Sequence, residues 1–128
     1  PVREEFILHE AGGNNGFYYQ VRDLVEQGSV PDAIFCTSDP KAFVVMHALH
    51  DLGLRMPEDV AVIGVDNVSM ASMVEPPLST ISQHLHDMGV AAAKSLIRQI
   101  EYKDKYGELP KPQRTIMNSD LIVRRSTN

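Results

Sequence analysis

A chain of 128 residues is the size of a single domain, and its 43% apolar residues allow a core of modest size. Because the net charge is −5 and no run of Lys and Arg is present, the chain by itself is not expected to bind nucleic acid. Its single cysteine, Cys36, excludes an internal disulfide and favours a reducing, cytoplasmic setting, and no apolar run reaches the roughly 20 residues that span a bilayer.

The N-terminal segment has the pattern of a strand, a loop and a helix. Apolar residues within 5–9 predict the strand, and the Gly- and Asn-rich run 12–16 predicts a loop that tolerates positive φ. Apolar residues then recur at helical spacing across 17–25, and Gly28 suits the left-handed position just beyond a helix. We therefore expect a strand–helix unit here.

Two further strands and one helix follow the same alternation. Residues 33–37 and 60–65 are apolar without interruption, which is typical of strands that are covered on both faces. The helix between them is predicted over 40–52, with Pro40 in its first turn and Gly53 just beyond its end. Alternating strands and helices indicate an α/β fold with a parallel sheet and right-handed crossovers, in three layers.

The last third of the chain is less regular. A short strand is predicted over 79–82 and a long amphipathic helix over 84–102. The polar run 103–112 predicts a solvated loop, and 114–117 with 121–123 predict closing strands.

Polar residues follow the predicted parallel strands at their carboxyl ends, where ligands bind in sheets of this kind. These residues are Glu10, Ser38, Asp39, Asp66 and Asn67. Asp39 stands immediately before Pro40, so a role as the N-cap of the following helix explains it without a ligand.

Four segments together resemble the LacI/GalR family of bacterial transcription regulators. They are PDAIFC with SD (31–39), LGLRMPEDVAVIGVDN (52–67), PPLSTI with Gln83 (76–83) and LIVRRS (121–126). The resemblance implies an α/β subdomain of the type I periplasmic-binding-protein fold. It also implies that residues 1–128 are a partial effector-binding and dimerisation domain without the DNA-binding domain. In relatives the helix at 84–102 packs on an N-terminal subdomain that these residues do not include.

The resemblance also implies effector contacts. Asp66 stands where relatives hydrogen-bond a sugar-like effector, although an aspartate that only closes the turn is the alternative. Ser38 would line the cleft or lie in a solvated loop, and Gln83 matches a glutamine that touches the effector in some members. Glu10 and Ala11 lie in a loop where several relatives carry an aromatic ring. Ala11 is a methyl instead, so the identity of the effector stays open.

The helix at 40–52 has a second apolar face that one sheet does not need. Relatives dimerise through this helix and the segment 70–74, whereas a covering loop is the alternative. The residues expected at a homodimer interface are Phe43, Met46, His50, Met70 and Val74.

Other classes of site lack support in the sequence. His84 and His86 are two residues apart and have no further ligands at metal spacing, so neither a metal nor a cofactor is expected. No nucleophile motif is present, and an enzyme is therefore disfavoured. The resemblance implies three partners: a small-molecule effector that is a sugar or sugar derivative, a second copy in a homodimer, and operator DNA through a headpiece outside these residues. The alternative function is the sugar-binding component of a transport system with the same fold.

Overall fold

The computed structural model describes residues 4–9 and 16–128. Within these residues, two short 3-10 turns, Glu4–Phe6 and Ser69–Ser72, accompany three helices and four strands. The regular elements are α1 (Gly16–Glu26), β1 (Ala33–Phe35), α2 (Asp39–Asp51), β2 (Ala61–Val65), β3 (Ser79–Ser82), α3 (Leu85–Tyr106) and β4 (Asp120–Ile122).

The strands form one sheet in the order β1-β2-β3-β4. The first three are parallel, with Phe35 opposite Ile63 and Gly64 opposite Thr80. β4 runs antiparallel to β3, with Thr80 opposite Ile122. The predicted α/β class is confirmed, and the sheet is parallel except at its β4 edge.

The core lies between the sheet and the first two helices, because α2 packs on β2 and α1 packs on α2. The helical spacing of Ala42, Val45, Leu49 and Leu52 predicts an inner apolar stripe. The first three are buried in α2, and Leu52, just beyond its end, is half-buried. Cys36 is buried in the same cluster, as expected of a small apolar residue. Burial raises the pKa of its thiol to about 12, so it is protonated and unreactive near neutral pH.

The strand predicted over 5–9 is wrong. The chain turns there instead, and the N–H of Ile7 donates to the carbonyl of Glu4. A strand needs a hydrogen-bonded neighbour, and β1, at the end of the described sheet, pairs only with β2. Beside β1 lies an apolar cavity of about 800 Å³, lined by Leu8 and Ile34 among others.

The long C-terminal helix is present but longer than predicted, because α3 continues four residues beyond 102, into the run expected to be a loop. Lys103 and Lys105 lie in its last turn, where cations favour a helix terminus, and Gly107 ends it with φ +78°. No residue of α3 is buried. Within the described residues, no helix is both long and apolar enough to cross a membrane.

The return segment after α3 forms one strand rather than two. Only β4 joins the sheet, and residues 114–117 are exposed and outside any ladder. The strand predicted over 114–117 is therefore wrong, because in the described chain β3 offers pairing partners only to the three residues of β4.

Candidate effector-binding site

Three of the predicted contact residues meet at one edge of the sheet. Ser38 follows β1 closely, Asp66 comes directly after β2, and Gln83 comes directly after β3. Because β1, β2 and β3 are parallel neighbours, their carboxyl ends lie side by side. All three side chains are half-buried, as expected of the floor of a cleft.

Asp66 and Gln83 are in direct contact. Nε2 of Gln83 donates to Oδ1 of Asp66 at 3.1 Å. Among the described residues, Oδ2 of Asp66 has no hydrogen-bond partner. A carboxylate oriented in this way can accept from a pair of neighbouring hydroxyls, and partial burial strengthens such bonds.

The turn that carries Asp66 has an unusual backbone. Asp66 has φ +109° and Asn67 has φ +53°, and neither residue is a glycine. Such conformations cost about 1–3 kcal/mol each and persist only where surrounding contacts impose them. The N–H of Asp66 donates to the carbonyl of Ile81 at 2.9 Å, which extends the β2–β3 ladder by one residue.

The next two N–H groups of the turn donate to side chains rather than to backbone carbonyls of the sheet. Asn67 N donates to Oγ1 of Thr80 at 3.2 Å, and Val68 N donates to Oδ2 of Asp39 at 2.9 Å. The Thr80 hydroxyl in turn donates to Oδ1 of Asp39 at 2.6 Å. The carboxylate of Asp39 therefore supports the turn both directly and through Thr80.

The N-cap prediction for Asp39 is wrong. An N-cap residue has a non-helical backbone, and here that residue is Ser38, with φ −156° and ψ 155°, although its hydroxyl makes no cap bond. Asp39 is the first residue of α2 and is fully buried.

Gly64 makes room for this carboxylate. A Cβ at residue 64 would overlap Oδ1 of Asp39 and approach Cδ2 of Leu78 to 3.1 Å. A glycine inside a buried strand is a sign of close approach by another group. Gly64 was the sequence signal that could have predicted the passage of the Asp39 side chain across β2 to Thr80 of β3.

The C-terminal segment holds the same region from the β4 side. Arg124 donates to Oδ1 of Asn67 at 2.8 Å and to the carbonyl of Leu78 at 2.7 Å. The buried hydroxyl of Ser126 donates to the carbonyl of Val62 at 2.6 Å and accepts from Ser79 N at 2.8 Å. Composition and spacing had given these residues no role.

Comparison with known proteins places this architecture. The model of the periplasmic binding protein-like domain matches residues 3–127. The chain belongs to this family. The HTH-type transcriptional repressor PurR of Actinobacillus pleuropneumoniae serotype 3 (strain JL03) is 35% identical over 127 residues, which are 98% of the chain and 37% of that repressor.

Solved structures in the family give the same picture. The transcriptional regulator CelR in complex with cellobiose superposes with a TM-score of 0.84 and 29% identity, over 98% of the chain and 37% of CelR. A putative LacI-family regulator from Sanguibacter keddieii DSM 10542 gives a TM-score of 0.88 and 27% identity, over 98% and 46%. The LacI/GalR resemblance is confirmed, and these relatives are named as regulators rather than enzymes. The chain spans about 37% of the length of the PurR relative.

The remaining predicted residues have different outcomes. Glu10 and Ala11 lie outside the described residues, so their predicted contacts stay predictions. Within residues 4–9 and 16–128, no three His, Cys, Asp or Glu residues lie together as a metal site would require. His84 pairs instead with Asp120, with 2.9 Å between Nε2 and Oδ2.

The residues predicted for a dimer interface gather around one face of α2. A shallow depression of about 230 Å³ lies between α2 and the segment after Ser69–Ser72. Its lining includes four of the five predicted residues, namely Phe43, Met46, His50 and Val74. Met46 is only 5% exposed and so belongs mainly to the core of its own chain, whereas Met70 is 55% exposed nearby.

Proposed function

We propose that this chain is the effector-sensing and dimerisation region of a LacI-type DNA-binding transcription regulator. The observation that carries the proposal is the meeting of Ser38, Asp66 and Gln83 at the carboxyl edge of the parallel sheet. Asp66 presents an oriented carboxylate there, and Gln83 adds an amide beside it. Such a pair suits a ligand with neighbouring hydroxyl groups, so the proposed effector is a sugar or a sugar derivative.

The mechanism follows from linkage between two binding events. The effector closes a cleft of which this sheet edge is one wall, and a second subdomain outside these residues supplies the other. A headpiece outside these residues contacts operator DNA. If the effector binds one arrangement of the subdomains more tightly, it must change operator affinity, and the operator must change effector affinity by the same factor.

The effector proposal is tested by thermal shift on the longest natural reading frame that contains residues 1–128. Cellobiose, ribose and hypoxanthine serve as probes, so that sugars and a nucleobase are compared directly. Asp66→Ala is expected to weaken binding of the sugar that raises Tm by about tenfold or more, because it removes a charged acceptor. Asp32→Ala, at the opposite end of β1, is the matched control and should bind normally. A shift by hypoxanthine alone would overturn the sugar assignment.

The regulator proposal is tested with the same protein and a library of random DNA duplexes. We expect a specific operator to be selected and its affinity to change when the effective sugar is added. A transport component with this fold would bind sugar and select no DNA. Failure to recover any specific sequence would contradict regulation by operator binding.

The dimer proposal rests on the depression beside α2, which a second copy would cover around its symmetry axis. Met70→Glu is the test, because this exposed side chain stands beside the depression and contributes little to the core. Sedimentation velocity should show a shift from dimer towards monomer. Ile116→Glu is the control, since Ile116 is 77% exposed and lies outside both α2 and the segment 70–74. Equal dissociation by both variants would argue against this interface.

A further inference from the structure

A buried carboxylate lies beneath the sheet edge that carries Asp66. Asp39 is fully buried, and its side chain accepts hydrogen bonds from the turn after β2 and from β3 rather than from its own helix. Leaving a carboxylate in a core without a cation is unfavourable unless its oxygens are well bonded. Both oxygens here accept short bonds, from Thr80 Oγ1 at 2.6 Å and from Val68 N at 2.9 Å.

Asp39 is connected to the two residues after Asp66, to Val68 directly and to Asn67 through Thr80. Val68 N is bonded to Asp39 itself, and Asn67 N is bonded to Thr80 Oγ1, whose proton is committed to Asp39. A hydroxyl that donates to a carboxylate is held in one orientation, with its lone pairs free to accept from Asn67 N. Two of the N–H groups in this positive-φ turn are therefore bonded to one buried carboxylate or to its hydroxyl partner, in addition to the bond from Arg124 to Asn67.

Space for the Asp39 carboxylate is created by a missing side chain in β2. Gly64, opposite Thr80 in the ladder, lacks the Cβ that would overlap Asp39. Glycine weakens a strand interior, so its presence here is explained by the carboxylate that passes beside it. Asp39 of α2, Gly64 of β2 and Thr80 of β3 thus lie together under the turn.

We infer that Asp39 is a positioning residue for the effector contact Asp66, acting through Thr80 and the backbone of the turn. This inference rests on the proposed function. Without the carboxylate, the turn would relax towards less strained conformations, and Asp66 would point correctly for only a fraction of the time. Apparent effector affinity would fall by that fraction, although Asp39 never touches the effector.

The first test measures the turn without any ligand. In Asp39→Asn the side chain keeps its shape but loses one acceptor, so amide hydrogen exchange at Asn67 and Val68 should accelerate by about tenfold or more relative to the core amide of Val62. Val45→Ala is the control, because it destabilises the core without touching the turn. An unchanged exchange pattern at the turn in Asp39→Asn would overturn the inference.

Thr80 supplies a second variant in case Asp39→Asn does not fold. Thr80→Val is isosteric and removes both the bond to Asn67 N and the donation to Asp39, whereas Thr80→Ser keeps the hydroxyl. We expect rapid exchange at the turn in Thr80→Val and rescue in Thr80→Ser. Equal behaviour of the two variants would contradict a role for the hydroxyl.

The second test asks whether the effect reaches Asp66. The side-chain amide resonances of Gln83 report its bond to Asp66, so in Asp39→Asn they should move towards their positions in Asp66→Ala. With the sugar that binds best among cellobiose and ribose, Asp39→Asn should weaken binding in the natural protein and have no further effect in an Asp66→Ala background.

The two hypotheses fail in different ways. If neither sugar binds but the Gln83 resonances move as expected, the proposed effector class is wrong and the positioning of Asp66 stands. If sugar binds and Asp39→Asn weakens it equally with and without Asp66, Asp39 is a structural residue and the inference is overturned.

Discussion

Two regions of the chain differ in where their contacts lie: the sheet half, which is the sheet with helices α1 and α2, and helix α3. In the sheet half, side-chain bonds join the turn after β2, β3 and the C-terminal segment, and they include three fully buried residues, Asp39, Thr80 and Ser126. α3 is 22 residues long and has no buried residue. The sheet half is therefore stabilised by contacts within this chain, whereas α3 leaves its apolar side chains exposed.

This difference identifies which contacts are missing. The apolar stripe predicted on α3 consists of Leu85, Met88, Ala92, Leu96 and Ile100, and all five residues are exposed in the described chain. Exposed apolar surface of that extent favours association. The sequence predicts that this helix is buried against another copy, exchanged between copies or folded back; it does not fold back onto the sheet, and the first two alternatives stay predictions.

The largest expected difference between the two regions is in stability. Leu49 is fully buried in α2, whereas Leu96 is 59% exposed in α3. We expect Leu49→Ala to lower the free energy of unfolding by about 2–5 kcal/mol, because the substitution leaves a cavity in a packed core. Leu96→Ala should change it by no more than about 0.5 kcal/mol, since little packing is lost. Urea denaturation of both variants measures the difference.

The same pair of variants can break the distinction. A large loss of stability in Leu96→Ala would mean that α3 is buried in solution, and light scattering on that variant would then show whether a second copy provides the contact. A negligible loss in Leu49→Ala would mean that the core described here is not the one that stabilises the chain.

Sequence patterns predicted the elements whose partners lie nearby in this chain. The inner stripe of α2 and the strand at β2 were visible as periodicity and as a continuous apolar run. The strand expected at 5–9 failed because a β-strand is defined by its neighbour, and the pattern of one segment does not reveal whether that neighbour is present. The strand expected at 114–117 was wrong for the same reason, because that segment has no strand beside it to pair with in the described chain.

The position of the site could be predicted from the sequence, but the hydrogen bonds that support it could not. Carboxyl ends of parallel strands indicated Ser38 and Asp66, and the family resemblance added Gln83. The cap role given to Asp39 rested on its place beside Pro40, since local sequence describes contacts within a helix end better than contacts with a strand 41 residues away. Gly64 carried that information, but only together with the fold.

An exposed ion pair within the sheet half gives a smaller and pH-dependent effect. Arg55 and Asp59 lie in the connection between α2 and β2, where the guanidinium donates twice to the carboxylate, at 2.9 and 2.8 Å. The backbone N–H of Arg55 also donates to it at 2.8 Å. The side-chain bonds from Arg55, followed by this backbone bond, lower the pKa of Asp59 to about 2.

A carboxyl group whose pKa is lower in the folded state stabilises the fold when it is ionised. Its contribution is complete above the ordinary aspartate pKa of about 3.9 and is lost as the pH falls towards about 2. Asp59→Asn should therefore be less stable than the parent chain near neutral pH, and the difference should shrink to nothing on acidification. Urea midpoints between about pH 6 and about pH 2 measure it. Solvent and salt weaken such pairs, so about 1 M salt should reduce the difference as well. Glu58→Gln controls for the loss of one negative charge; if it reproduced the same pH profile, net charge rather than the Arg55–Asp59 bonds would be the cause.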